Sequence, residues 1–213
     1  MGREVKGARS QKVPASICCL TYIAALVSIA VVFIISPCET AYMNGFAAHI
    51  VSTFVVFFFS CVYGNSSLYD PAWYLLPVGV GAGWLFAGGF SVRGVAAFAG
   101  LVCWASRFCL QWPWEGWHAG VEREDWRYVD FSDKISNNAA YWAWSLFGFH
   151  LVPTFMVFAG LQPVEAIWSA GADQTALGLL DLVAIAVTFA AAAIAYIADK
   201  QLSDFRFKDY GNT

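Results

Sequence analysis

A chain of 213 residues that is 59% hydrophobic, 17% aromatic and only 13% charged, with a mean hydropathy of +0.58, is too apolar for an ordinary soluble domain. Its length suffices for one membrane bundle and leaves little for a second domain, so the expected class is an all-α polytopic bundle of about six transmembrane helices. The net charge of −3 says nothing about nucleic acid, and with no basic stripe or base-stacking module none is expected as a partner.

Residues 1–15 are polar and carry Arg3, Lys6, Arg9 and Lys12 against Glu4, which places this segment on the cytosolic or matrix side. Residues 16–36 are uncharged and long enough to cross a bilayer, too long for a signal-peptide core, and read as a retained anchor. A second span, 45–64, is rich in Phe and Val and holds His49, expected to be hydrogen bonded inside the bundle. Residues 65–73, NSSLYDPAW, form a polar turn in which Asp70 and Pro71 end one helix and start another. The third span, 72–90, contains Gly79, Gly81, Gly83, Gly88 and Gly89, a pattern that lets helices approach closely. After a turn at 91–93, the fourth span, 94–111, carries Arg107 where it can either snorkel to the interface or face inward.

The central segment, 112–133, is densely charged, with Glu115, Glu122, Glu124, Asp125, Asp130 and Asp133 against Arg123 and Arg127. Trp112, Trp114, Trp117 and Trp126 are interleaved with them, as in an interfacial belt, and a lipid headgroup or partner is the competing reading. Glu124 and Arg127 lie three apart, so on a surface helix they would form an ordinary ion pair. The fifth span, 139–160, is interrupted by His150 and Pro153, which predict a kink or a polar pocket. Residues 161–175 read as an outer loop, and 176–198 as an Ala-rich sixth span that begins near Asp181 and runs into ADKQLSDFRF; 206–213 is a polar tail. Six crossings from an inside amino terminus leave Arg93 outside and gather the other basic residues inside. The YDPAW turn, the EDWRY loop and the ADKQL end then emerge on one face, as the mouth of a ligand pocket between helices requires. Five of the six cysteines lie in apolar runs, where a thiol is a small hydrophobe, and no metal-ligand spacing emerges.

Taken together, Tyr69-Asp-Pro-Ala-Trp73, the stretch through Trp114-Glu-Gly-Trp117, Glu124-Asp-Trp-Arg-Tyr-Val-Asp130, the run from Tyr141 to His150 with Pro153-Thr154, and Ile197-Ala-Asp-Lys-Gln-Leu202 stand in a recognisable order. Over roughly residues 60–205 the chain resembles a membrane family, a domain-of-unknown-function branch related to steroid 5-alpha-reductases and isoprenylcysteine methyltransferases. The resemblance implies a multi-helix fold in which NADPH enters from the cytosolic side and reduces a double bond of a lipid or sterol-like substrate. It also implies that Asp70, Arg107, Glu124, Asp125, Arg127, Tyr128, Asp199 and Gln201 line or brace the polar mouth as cofactor- or lipid-binding residues.

The chain departs from that pattern. Similar proteins continue past the ADxQL helix into further spans and a Tyr-Ser-Arg-His-Pro-Asn-Tyr-like stretch, and place a glutamate where Ala195 stands here. The expectation is therefore a C-terminally truncated member with no catalytic residue, no metal and no resident cofactor beyond a bound phospholipid. It would serve as an accessory or structural subunit, with membrane lipids and other membrane subunits as partners, in the mitochondrial inner membrane or the endoplasmic reticulum. The alternative is a working NADPH-dependent reductase completed by a partner or a missing C-terminal part, with Arg127 or Arg107 on phosphate and Tyr128 as the polarising donor.

Overall fold

A computed structural model describes residues 12–109, 124–170 and 177–205, and every regular element among the described residues is helical. The chain runs through α1 (Ala15–Ile35), α2 (Ala41–Tyr63), a 3-10 turn (Ser66–Tyr69), α3 (Ala72–Gly88) and α4 (Val92–Cys109). It resumes with α5 (Trp126–Lys134), α6 (Asn138–Trp144), a π-helical stretch (Ser145–Leu151), α7 (Val152–Gly160), α8 (Gln162–Ser169) and α9 (Leu179–Asp204). Four helices are long and apolar enough to cross a membrane: α1, α2, the continuous α6–α7 rod and most of α9. The chain is a multi-pass membrane protein. The 17-residue α3 and the 18-residue α4 stand beside them, close to the lower limit of about 17 residues for a crossing.

Local chemistry sets the ends of these rods. Thr40 accepts from the Met43 N–H to start α2, and Gly64, in the left-handed region at φ 62°, closes it with its N–H on the last carbonyls. Asn65 caps the 3-10 turn through Ser67 N–H, Asp125 caps α5 through Arg127 N–H, and Asn137 caps α6 through Ala140 N–H. The π-helical widening begins eight residues before Pro153, whose ring would crowd the carbonyl one turn back in a regular helix and which brings no N–H. The kink expected from His150 and Pro153 thus takes the form of a local unwinding in an otherwise continuous rod.

The core lies where α1, α2 and α3 meet, around Cys18, Ala25, Ile29, Val56, Leu76, Val80 and Trp84. Close approach does require glycine at particular points: a Cβ on Gly45 would stand 2.5 Å from the Trp84 ring, and one on Gly88 would run into the Trp168 carbonyl oxygen. Two expectations need correction. Residues 161–175 are not simply a loop, since α8 forms there with Pro163 in its first turn and buries Trp168 at its end. Arg93 is not in a free turn but in the first turn of α4, in a two-pronged ion pair with Asp181 of α9 at 2.7 Å on each prong. Near the other ends of the same helices Arg107 meets Asp199 at 3.2 Å, so α4 and α9 run parallel.

Candidate functional site: a closed polar network beside the central segment

The 3-10 turn is the hub. It is wholly buried, and its backbone and hydroxyls reach three other parts of the chain. The Ser66 N–H donates to Glu124 Oε1 at 2.6 Å, and the Ser67 hydroxyl accepts from the Asp125 N–H at 2.8 Å. At the end of the turn Asp70 Oδ1 accepts from the Tyr128 hydroxyl at 2.5 Å. The start of α5 is therefore stitched to the turn before α3 by three hydrogen bonds. The Asp125 cap makes this geometry: helical backbone begins at Trp126, so Glu124 precedes the helix and points inward.

That placement overturns the expected Glu124–Arg127 pair. Arg127 instead pairs with Asp125, Nε to Oδ1 at 2.8 Å and Nη2 to Oδ2 at 3.3 Å, at an exposed position. Glu124 is 5% exposed and Asp70 4%. Burial pushes each carboxyl up to about 7, against the pull of Tyr128 on Asp70 and of the Ser66 N–H and the Tyr141 hydroxyl on Glu124. Burial also pushes the Tyr128 hydroxyl up, as does the neighbouring Asp70 carboxyl, so it stays a donor.

From the hub the network continues into the membrane bundle. The Ser66 hydroxyl bonds Tyr141 at 2.8 Å and Ser145 at 2.9 Å, and His150 Nδ1 sits 2.8 Å from the Ser145 carbonyl while its Nε2 is 3.3 Å from the Ser60 hydroxyl. Thr154 then donates to the His150 carbonyl and bonds both Tyr69 and Thr53. Such a chain of buried groups holds α2, the 3-10 turn and the π-helical rod in one register, because each unpaired member would cost about 1–3 kcal/mol. Its serines, threonines and tyrosines were not among the sequence candidates. The signal that could have found them is the seven-residue step from Thr53 to Ser60 on α2, two polar side chains on one face of an apolar helix. His49 departs from expectation, being fully buried beside Phe158 with no hydrogen-bond partner for either ring nitrogen among the described residues.

Of the residues assigned by resemblance, Asp70, Glu124, Asp125, Arg127 and Tyr128 come together here. Arg107 and Asp199 form a second group, in which the Arg107 guanidinium also lies over Phe108, whose ring stacks on Tyr74 of α3. Gln201 is exposed near the end of α9. Trp126 is 71% exposed at the start of α5, as an interfacial indole would be; Trp112, Trp114, Trp117, Glu115, Glu122 and Arg123 lie outside the described residues. No group of three potential metal ligands occurs among the described residues.

In chemical terms the first cluster is largely engaged with itself: Glu124, Asp125 and one oxygen of Asp70 each have a donor, Tyr128 donates to Asp70, and Asp70 Oδ2 stays buried without a partner among the described residues. One family model, described as "Protein of unknown function (DUF1295)", matches residues 56–212. No curated protein and no solved structure matches the chain.

Proposed function

The chain belongs to the DUF1295 family, and from that premise we propose that it is an accessory membrane subunit derived from a steroid 5-alpha-reductase-like ancestor. In this reading it contributes helices to a larger complex and carries no hydride transfer of its own. The mitochondrial inner membrane and the endoplasmic reticulum are the candidate sites, with the amino terminus on the matrix or cytosolic side. The observation that carries the proposal is the contrast between the two ends of the matched region. The acids and the tyrosine that would serve a reductase are tied to one another, whereas only 6% of the apolar window of α9 is buried. Val183 at 51%, Ile194 at 67% and Ile197 at 53% exposure offer a helical face suited to van der Waals packing against another membrane helix.

The test is migration on a native gel after solubilisation in a mild detergent. The chain is expected in a species well above its own 23.3 kDa, and a triple Val183→Ala, Ile194→Ala, Ile197→Ala variant, still apolar enough to insert, should run as the free chain. Saturable NADPH binding by the purified chain alone would overturn the reading in favour of a working reductase, and unaltered migration of the triple variant would remove α9 as the assembly face.

A further inference from the structure

Helix α5 has 9 residues, of which Tyr128, Val129 and Ser132 are buried, while Trp126, Arg127, Asp130 and Lys134 stand exposed. So short a helix is marginal in water on its own, and α5 persists by what it touches. Tyr128 and Phe131 pack on Phe149 of the π-helical stretch, with ring centroids 4.7 and 5.3 Å apart, and Phe131 also stacks on Trp144. The start of α5 is held by the three-bond joint with the 3-10 turn. Its end is tied to α6 by the short link 135–137, where Ile135 has extended backbone. The helix is therefore pinned at one end and jointed at the other.

The pinned end is short of positive charge. Asp70 comes from the turn side, Glu124 and Asp125 from the α5 side. Tyr22 of α1, Tyr74 of α3, Tyr128 of α5 and Tyr141 of α6 face these acids with hydroxyls, and Arg127 supplies the one cation among the described residues that face them. That guanidinium is exposed and already paired with Asp125. Asp70 Oδ2 is buried with no hydrogen-bond partner among the described residues. While the acid is neutral this leaves one polar atom unmatched, but once it ionises a charge is left there, at far greater cost. Ionised carboxylates accept more strongly from the Ser66 N–H and the Tyr128 hydroxyl, yet burial outweighs that gain and holds both acids up at about 7. The geometry offers a release: Asp70 and Glu124 sit on opposite sides of the joint, so lifting α5 parts them and lets water reach both.

We infer that α5 is a charge-operated latch: it lies closed over the 3-10 turn while Asp70 and Glu124 are neutral, and swings out on residues 135–137 when both are ionised, uncovering the turn. The closed joint binds protons that the open one gives up, so closure is fully favoured below about pH 4 and is lost as pH climbs through 7. The device is complete within this chain and does not depend on the accessory role. Hydrogen exchange read by mass spectrometry on the full chain in mild detergent tests it, with protection corrected for the intrinsic exchange rate at each pH. Amides 129–134 are expected to be protected at about pH 5 and to lose at least about tenfold of that protection by about pH 8, because opening releases up to two protons. Amides of α2 and α3 should stay protected at both. A paired Asp70→Asn, Glu124→Gln variant should keep α5 protected at the higher pH, and Glu124→Gln alone should halve the pH dependence on a logarithmic scale. Tyr128→Phe removes one bond of the joint without removing a charge, and should lower α5 protection about fivefold at both pH values. Protection of α5 that does not change with pH, a loss that α2 and α3 share in step, an equal loss in the paired variant, or unaltered protection in Tyr128→Phe would each overturn the latch. None of these results bears on migration with other subunits, so the two proposals fail separately.

Discussion

Replacing Trp168 with alanine is expected to lower stability by about 3–5 kcal/mol, the range for deleting a buried aromatic, read as an earlier midpoint in a denaturing-detergent titration. The side chain is 2% exposed and stands over Gly81 and Gly94, with Trp84 beside it. Its indole N–H donates to the Gly94 carbonyl at 3.2 Å. Removing the ring opens a void where α3, α4 and α8 meet, and frees the carbonyl as well. Trp168→Phe keeps most of the volume and should cost roughly a hydrogen bond, about 1 kcal/mol. If alanine and phenylalanine were equally mild, α8 would be a surface appendage and not the clamp that its contacts describe.

A fall in stability as pH rises through the weakly acid to neutral range is the second large effect. Asp70 and Glu124 have their folded values raised from ordinary carboxyl values to about 7, so between about pH 4 and 7 the folded protein holds protons that the unfolded chain has released. Their contribution is fully present below about pH 4 and is lost as pH climbs through 7. Each tenfold difference in proton affinity between the folded and unfolded chain is worth about 1.4 kcal/mol, which makes several kcal/mol for the two acids together. Thermal unfolding at about pH 5 and pH 8 measures it. A paired Asp70→Asn, Glu124→Gln variant keeps the acceptors for Tyr128, Ser66 and Tyr141 but has no proton to lose, so its midpoint should be flatter with pH and higher than the native one at pH 8. An equally steep native and variant profile would place the titrating groups elsewhere.

Much of the frame is legible in the sequence because membrane helices are apolar over their whole circumference and need no period to be seen. Residues 16–36 and 139–160 agree with α1 and the α6–α7 rod to within a residue or two. What the run of letters hides is where a helix begins when polar residues crowd its start. Glu124 and Arg127 look like neighbours on a helical surface until Asp125 is found capping the backbone, which leaves Glu124 outside the helix and turned toward Ser66. The eight-residue α8 is invisible for another reason: Gly160 and Pro163 punctuate its entry, and the burial of Trp168, with Val164 packed on the same core, holds so short a helix. The interior hydroxyl chain escapes notice because serine and threonine can bond carbonyls of their own helix, as Thr53 does with His49, and nothing local shows that they also reach across.

The paired charges of α4 and α9 carry a mechanical corollary. Their anchoring points are about 21 Å apart on α4 and about 27 Å apart on α9, a difference that the long arginine side chains span. A beam fastened at two heights can neither spin nor creep along its neighbour, and whatever it shows the surrounding bilayer is shown at one fixed azimuth. Unfastening either bolt would leave a pivot, while unfastening both would set the beam adrift.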